Sequence, residues 1–456
     1  MTRLPGPKGF SLTALYQWMT QPFAFFEQCK KQYGDTFTFY LPRLPPLVVF
    51  SDPAVVKTVF ADSGEVMHGG EFNRSLSAFL GDKSVLMVDG RAHLRKRKLL
   101  LPPFHGERML AYGRVMMDLA DEVIDGFPVN EVFAIHKRMS GIALNVIVRN
   151  VFGFAPGPKE ARLRQDLEAL LELMTWPPLL IPFMRVDLGR FSRWGRAMRL
   201  LRHCDETFYT ELRARRATGG SRGDDILSLL IDARDEDGQP MGDAELRDEL
   251  VTLLVAGHET TATALTWALR WLLATPGVEE RLRGELAGVD ALDPEQIQAL
   301  PYLDAVVRES LRLCPIIPLV GRVLQKDLTL GGYELKKGMG VVCSIYLAQR
   351  RPEAYADPER FWPERFLDKK FTPAEFFPFG GGIRRCIGMA FALFEMKMVL
   401  ARLLQRTRLQ LTPRGAIRPV RRSITLMPSD GLLLRVVEKK PRSGGGGEPR
   451  AASLLH

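Results

Sequence analysis

Long apolar runs are missing from this 456-residue sequence: nowhere does it offer the ~18 uninterrupted apolar residues that a membrane-spanning helix needs. The opening stretch, MTRLPGPKGF, has no apolar core of the kind a secretory signal carries, so neither a cleaved leader nor a membrane anchor is expected. Cysteine is scarce. Cys29, Cys204, Cys314, Cys343 and Cys386 form an odd, scattered set without a C-x-x-C pair, which argues against a disulfide framework and a structural zinc site and for the reducing cytoplasm. Acidic residues are outnumbered, 53 against 63 Lys and Arg, for a formal net charge of +10. Such a balance suits nucleic acid, an anionic membrane or an acidic protein, and an ordinary solvated surface accounts for most of it. No RNA-binding aromatic signature, zinc finger or helix-turn-helix pattern accompanies the charge, so a nucleic-acid partner is not expected. There is also no P-loop, no G-x-G-x-x-G after a strand, and no internal repeat.

What is present reads as mainly α with small β-sheets. TFTFY and PLVVF are β-rich runs, and DPAVVKTVF reads as a short helix with Pro53 in its first turn. Residues 64–90 are irregular and Gly-rich, as loops that line binding sites often are. From Arg91 to about Ser228 the pattern is helical, with breaks at FGFAPGPKE, TWPPLLIPF and ATGGSRGDD. A long helix over Asp243–Leu273 follows, spanning roughly 45 Å at 1.5 Å per residue. Short strands (DLTLGGYEL, GVVCSIY), a Pro-rich coil, a helix over 387–405 and strands near 407–436 complete one domain over 1–440. The remainder, 441–456, reads as a disordered tail.

The densest motif is FFPFGGGIRRCIG, residues 376–388. Its glycines permit sharp turns and close approach to a flat object. Cys386 stands at a helix entry beside Arg384 and Arg385, a setting that favours a thiolate able to act as nucleophile, redox sensor or metal ligand. The spacing F-x-x-G-x-R-x-C-x-G, filled by Phe379, Gly382, Arg384, Cys386 and Gly388, resembles the haem-binding loop of the cytochrome P450 family. That resemblance implies a helix-rich triangular prism with the long helix lying over haem b. It implies Cys386 as the proximal ligand of the iron, Phe379 as a shield for the sulfur and Arg384 as a contact for a haem propionate. A thiolate ligand pushes charge toward iron and favours O–O cleavage.

The long helix contains LLVAGHETTATALTW, where Gly257, Thr260, Thr261 and Thr263 forgo roughly 3 kcal/mol of helix propensity. HETTA begins like the zinc motif H-E-x-x-H, but Ala262 occupies the second ligand position. AGHETT is similar instead to the family's A/G-G-x-D/E-T-T/S segment. By that likeness Gly257 opens the helix beside bound dioxygen, Thr260 hydrogen-bonds it, and Glu259 relays solvent protons.

Further matches carry structural roles. ESLR puts Glu309 and Arg312 at i and i+3, and PERF supplies Arg365; they resemble the family's buried Glu–Arg–Arg cluster behind the haem. His93 and Arg97, at i and i+4 in GRAHLRKRKLL, and Arg322 in VGRV match propionate-binding positions. Arg95, Lys96 and Lys98 should then face outward. With Arg385 and Lys397 they would ring the cysteine side and receive an acidic ferredoxin or flavodoxin served by an NAD(P)H-dependent reductase. EFNRSLSAFL, VLMVD, LMTWPPLLIPFM, Val255, Ala256, PIIPLV and SITLMP would line a mostly apolar pocket. The implied function is monooxygenation, hydroxylation or epoxidation, of a lipophilic fatty acid, terpenoid, steroid or polyketide. A haem-based sensor or carrier is the alternative, and the intact Glu259–Thr260 pair argues against it.

Overall fold

Thr36–Phe39 and Leu47–Phe50 pair antiparallel, with Thr36 opposite Phe50, and open a five-stranded sheet. These strands come from a computed structural model, which describes residues 4–7, 9–41, 44–154, 157–176, 185–218, 223–290 and 292–442. The break at TWPPLLIPF, much of the LMTWPPLLIPFM wall and nearly all of the 441–456 tail lie outside the described residues.

The sheet continues through Gly340–Ser344, parallel to Leu47–Phe50, then Leu319–Leu324 and Met67–His68, both antiparallel. Every residue of Leu47–Phe50 and Gly340–Ser344 is buried. That follows from their unbroken apolar, β-branched sequence: both faces are covered. One strand of this sheet goes beyond the sequence reading and another is shorter than it. PIIPLV yields the strand Leu319–Leu324 despite its prolines, because Pro315 and Pro318 precede the hydrogen-bonded run. GVVCSIY stops as a strand at Ser344, whose hydroxyl accepts the Leu347 N–H at 3.2 Å and starts a helical turn over Ile345–Ala348.

The long helix runs from Asp243 to Ala274, one residue beyond expectation. Glu245 caps it by accepting the Gly242 N–H at 3.1 Å. It crosses the largest core cluster, which joins residues from Phe79 to Val436. Around it pack the helices Ile135–Val146, Pro301–Leu313 and Met389–Arg406 and the strand Thr425–Pro428. That strand forms a hairpin with Pro419–Arg422. Residues 64–90 hold more structure than their composition suggested, including helical turns at Gly69–Phe72 and Ser77–Leu80. Their order is borrowed: Asp248 on the long helix accepts the Lys83 N–H at 2.9 Å, and Glu249 accepts the Val85 N–H at 2.9 Å.

Candidate active site

The helix Met389–Arg406 begins directly after Gly388, and the loop before it is shaped by the helix Pro53–Ala61. Gly382 has φ +62°, and a Cβ there would lie 2.2 Å from the Phe60 carbonyl oxygen; one on Gly381 would strike the Phe60 ring at 2.1 Å. These two glycines therefore serve contact with Phe60, whereas a Cβ on Gly388 meets nothing of this chain within 4 Å. The Cys386 N–H donates to the carbonyl of half-buried Phe379 at 3.0 Å, which fixes the turn.

Cys386 is exposed, and the other four cysteines are buried. Burial pushes Cys29 and Cys314 to about 11 and Cys204 and Cys343 to about 12, so these thiols are inert. Although its surface is open, Cys386 is crowded by protein on its other sides. That crowding raises its thiol too, against a lowering influence from the Gly388 N–H and Arg97. The expected help from Arg384 and Arg385 is absent, so the protein surroundings alone do not favour a thiolate here.

Arg384 is engaged by the 85–89 segment. It forms an ion pair with Asp89 and donates to the carbonyls of Val85 and Val88. His93 is buried, and its Nδ1 has no hydrogen-bond partner among the described residues. Burial first, then Arg384 and Arg97, push its pKa down to about 3, so the ring is neutral. Arg97 donates to the Arg385 carbonyl at 2.5 Å, and Arg322 donates to the neighbouring Gly321 carbonyl at 2.7 Å. Burial, then Arg384, lowers Arg322 to about 10. Neither Arg97 nor Arg322 has a carboxylate in ion-pair contact among the described residues.

Glu309, Arg312 and Arg365 meet as a buried cluster. Glu309 Oε2 lies 2.7 Å from Arg312 Nε, and its Oε1 lies 3.1 Å from Arg365 Nε. Arg312 also donates to the carbonyls of Gln349 and Pro358, and the Trp362 N–H caps Glu309 at 2.9 Å. Every guanidinium nitrogen of Arg312 and Arg365 is hydrogen-bonded and both Glu309 oxygens accept, the condition under which such a cluster holds a fold together.

On the long helix the ladder runs unbroken through Gly257, so the opening expected there is not seen. A Cβ on Gly257 would come 3.2 Å from Ile147, so the glycine admits the neighbouring helical segment. Ala256 is exposed although it lies mid-helix in the core. The Thr260 hydroxyl donates back to the Ala256 carbonyl at 2.5 Å. Glu259 stands in a polar group that the sequence did not disclose. Its Oε1 has no hydrogen bond among the described residues and lies 3.6 Å from His136 Nε2 and 3.5 Å from Arg422 Nε. Burial pushes Glu259 up to about 7, with Arg422 acting against that rise. His136 and His258, each lowered to about 4 chiefly by burial, stay neutral beside it, and His258 Nε2 lies 2.7 Å from the Ser140 hydroxyl. Arg422 reaches the surface through exposed Glu172 at 2.6 Å.

The basic surface needs correction. Lys96 is only 4% exposed and pairs with Glu245 and Glu249 at 3.0 and 3.3 Å. At 100° per residue it lies 60° from His93, inside the buried stripe. Buried Lys397 donates to the Gln298 carbonyl and pairs with Asp304. Arg95 pairs with Asp235 and Glu245, and exposed Lys98 pairs with Glu236. Arg385 is exposed.

These residues fit a haem. One open sulfur, with no cluster of three or more His, Cys, Asp or Glu able to hold a metal among the described residues, suits an iron whose in-plane ligands come from a porphyrin. The orphaned His93 Nδ1 and the two guanidinium groups without carboxylates suit its propionates.

A sequence profile described as cytochrome P450 matches residues 4–435. The chain is similar to cytochrome P450 135B1 of Mycobacterium bovis and Mycobacterium tuberculosis, 37% identical over 433 residues that cover 95% of this chain and 91% of that protein. It is 34% identical over 438 residues to cytochrome P450 137 of Mycobacterium tuberculosis, covering 95% and 90%. A solved structure, retinoic acid bound cyanobacterial CYP120A1, superposes with a TM-score of 0.84 at 26% identity, covering 95% of this chain and 99% of that one. No helix among the described residues is long and apolar enough to cross a membrane. Matched almost from end to end in sequence and in fold, the chain belongs to the cytochrome P450 family and is a monooxygenase that holds haem b through a cysteine thiolate.

Proposed function

We propose that the enzyme hydroxylates or epoxidises a lipophilic small molecule of the fatty acid, terpenoid, steroid or polyketide class, using two electrons from an acidic ferredoxin or flavodoxin. The bound haem supplies dioxygen reduction and transfer of one oxygen atom to a C–H or C=C bond; the other oxygen leaves as water.

The polypeptide has four tasks. Cys386 gives its sulfur to the iron. His93, Arg97 and Arg322 take the propionates, while Arg384 holds the 85–89 segment through Asp89. Glu309, Arg312 and Arg365 fix the wall behind the cysteine loop. Glu259 holds a proton near neutral pH and passes it toward the Thr260 hydroxyl, and Arg422 and Glu172 connect it with solvent. The observation that carries this reading is the half-buried Glu259 carboxyl, its Oε1 without a hydrogen bond among the described residues, raised to about 7 and next in sequence to Thr260.

Apolar Ile316, Leu426 and Met427, packed where Leu426 N–H meets the Ile316 carbonyl at 3.0 Å, favour a lipophilic substrate. Arg74 is exposed, which suits a surface arginine better than a carboxylate anchor. The partner surface rests on Arg385 and on Lys98, which stays largely exposed beside Glu236, since Lys96 and Lys397 are buried and Arg95 is shared between two carboxylates. Screening lipophilic compounds for a spin-state shift, then measuring NADPH consumption and product with a surrogate ferredoxin system, tests the reading. Thr260→Ala should keep haem and substrate binding and divert reducing equivalents to peroxide. Fully coupled turnover in that variant would remove Thr260 from the proton route.

A further inference from the structure

We propose that the segment 185–191 and the outer face of the helix Arg193–Ala217 dock on an anionic lipid surface. Residues 185–202 carry six arginines against one aspartate, a net charge of +5 and half of the chain's +10. Further along the same helix the arginines do find carboxylates, Arg215 with Glu211 and Asp225 and Arg216 with Asp243. Arg190, Arg193, Arg196, Arg199 and Arg202 form no ion pair among the described residues, and all five are exposed.

Their placement follows from helix geometry. Ala197, Leu201, Cys204 and Phe208 are the buried stripe of this helix. At 100° per residue, Arg196, Arg199 and Arg202 fall on an arc of roughly 120° opposite that stripe. Glu206, exposed one turn further on, ends the run.

Beside the arginines stands an apolar tip. Val186, Leu188 and Phe191 are 53%, 63% and 81% exposed, and Phe191 is the most exposed large apolar side chain among the described residues. The tip is built rather than loose. Gly189, at φ +59°, turns the chain, and Asp187 accepts its N–H at 2.8 Å. Ser192 accepts the N–H groups of Leu188 at 2.9 Å and Gly195 at 3.1 Å, which closes the turn and caps the helix. Arg185 bonds the Ser75 carbonyl and Trp194 packs edge-on against Phe79 at 5.3 Å, so the tip is fastened to the 64–90 segment.

An anionic bilayer satisfies both halves of this surface. Guanidinium groups meet lipid phosphates while the apolar tip enters below the headgroups. A nucleic acid or an acidic protein would account for the arginines and leave Phe191, Leu188 and Val186 without a counterpart.

Flotation of the holoenzyme with vesicles separates these occupants. Vesicles of phosphatidylcholine with phosphatidylglycerol should carry the protein, phosphatidylcholine alone should not, and salt should weaken the binding. Combining Arg196→Gln, Arg199→Gln and Arg202→Gln should lower partition roughly fivefold per arginine. Phe191→Ser should lower it roughly tenfold or more. An unchanged carbon monoxide spectrum and melting temperature establish that both variants are folded. Absence of binding to the anionic vesicles overturns the proposal. So does a Phe191→Ser variant that partitions like the wild type while the arginine variant is impaired, for then the surface takes anions such as nucleic acid or acidic protein without a bilayer.

Discussion

Replacing Glu259 with glutamine should stabilise the protein at alkaline pH and do much less at acidic pH. Its side chain is 14% exposed, close to the neutral ring of His136, with Arg422 as its one cationic neighbour among the described residues at 3.5 Å and Glu172 beyond. Burial raises its pKa from 4.5 to about 7. At about 1.4 kcal/mol per tenfold change in acid dissociation, that rise is worth about 3 kcal/mol. The sign follows from which state holds the proton. Below the unfolded value both states are protonated and the carboxyl is neutral to stability. Between the two values the unfolded chain ionises first, so stability falls as pH rises, and above the folded value the whole penalty is present. Glutamine keeps the shape and never ionises. Urea unfolding of wild type and Glu259→Gln, followed by tryptophan fluorescence, should show the variant's advantage growing by about 2–3 kcal/mol between about pH 5 and about pH 8.5. A pH-independent difference would mean that Glu259 is not desolvated, and its role as a proton store near neutrality would fall with it.

Cys386→Ser should abolish the thiolate-type carbon monoxide spectrum; an unchanged spectrum would exclude this sulfur as the ligand. Glu309→Ala leaves Arg312 and Arg365 buried without their carboxylate, so it should cost about 3–5 kcal/mol and release haem on mild heating. A wild-type melting curve would count against the cluster as a structural element. Arg422→Gln removes the only cation beside Glu259 among the described residues and should raise the pH at which its carboxyl ionises by about 1–3, read from the carboxylic acid band in infrared difference spectra against Glu259→Gln. An unmoved titration would show that Arg422 does not govern the proton on Glu259.

The long helix was legible because its signals are local. Glu245 sits three residues after Gly242, and Thr275, Pro276 and Gly277 stop the chain, so the expected end at Leu273 lies one residue short of the real one. The strand Leu319–Leu324 was not read from PIIPLV because its partner Gly340–Ser344 lies further along the chain. Segment 64–90 looked irregular because what orders it is remote in sequence: Lys83 and Val85 hang from carboxylates 165 and 164 residues away. Local propensity carries no trace of such a clasp.

At the site, fixed spacing disclosed which residues to name but not what each one touches. Reading GRAHLRKRKLL as His93 and Arg97 inward and the rest outward overlooked that a helix stripe is wide enough to include Lys96, which pairs with Glu245 and Glu249. Asp89, His136 and Arg422 escaped notice because an isolated Asp, His or Arg has no motif; His136, at i−3 to Met139 on the buried face of its helix, offered the one faint signal. Asp89 changes the charge count most. Sequence alone offers three arginines to a cofactor with two carboxylates, one cation too many. Once Asp89 engages Arg384, Arg97 and Arg322 are the two left without a carboxylate, and their charge equals that of the two propionates. Neutral His93, held so by burial and the surrounding arginines, adds a hydrogen-bond donor without upsetting that equality. The acidic residue that no motif flags is thus what lets three basic ones match a dianion.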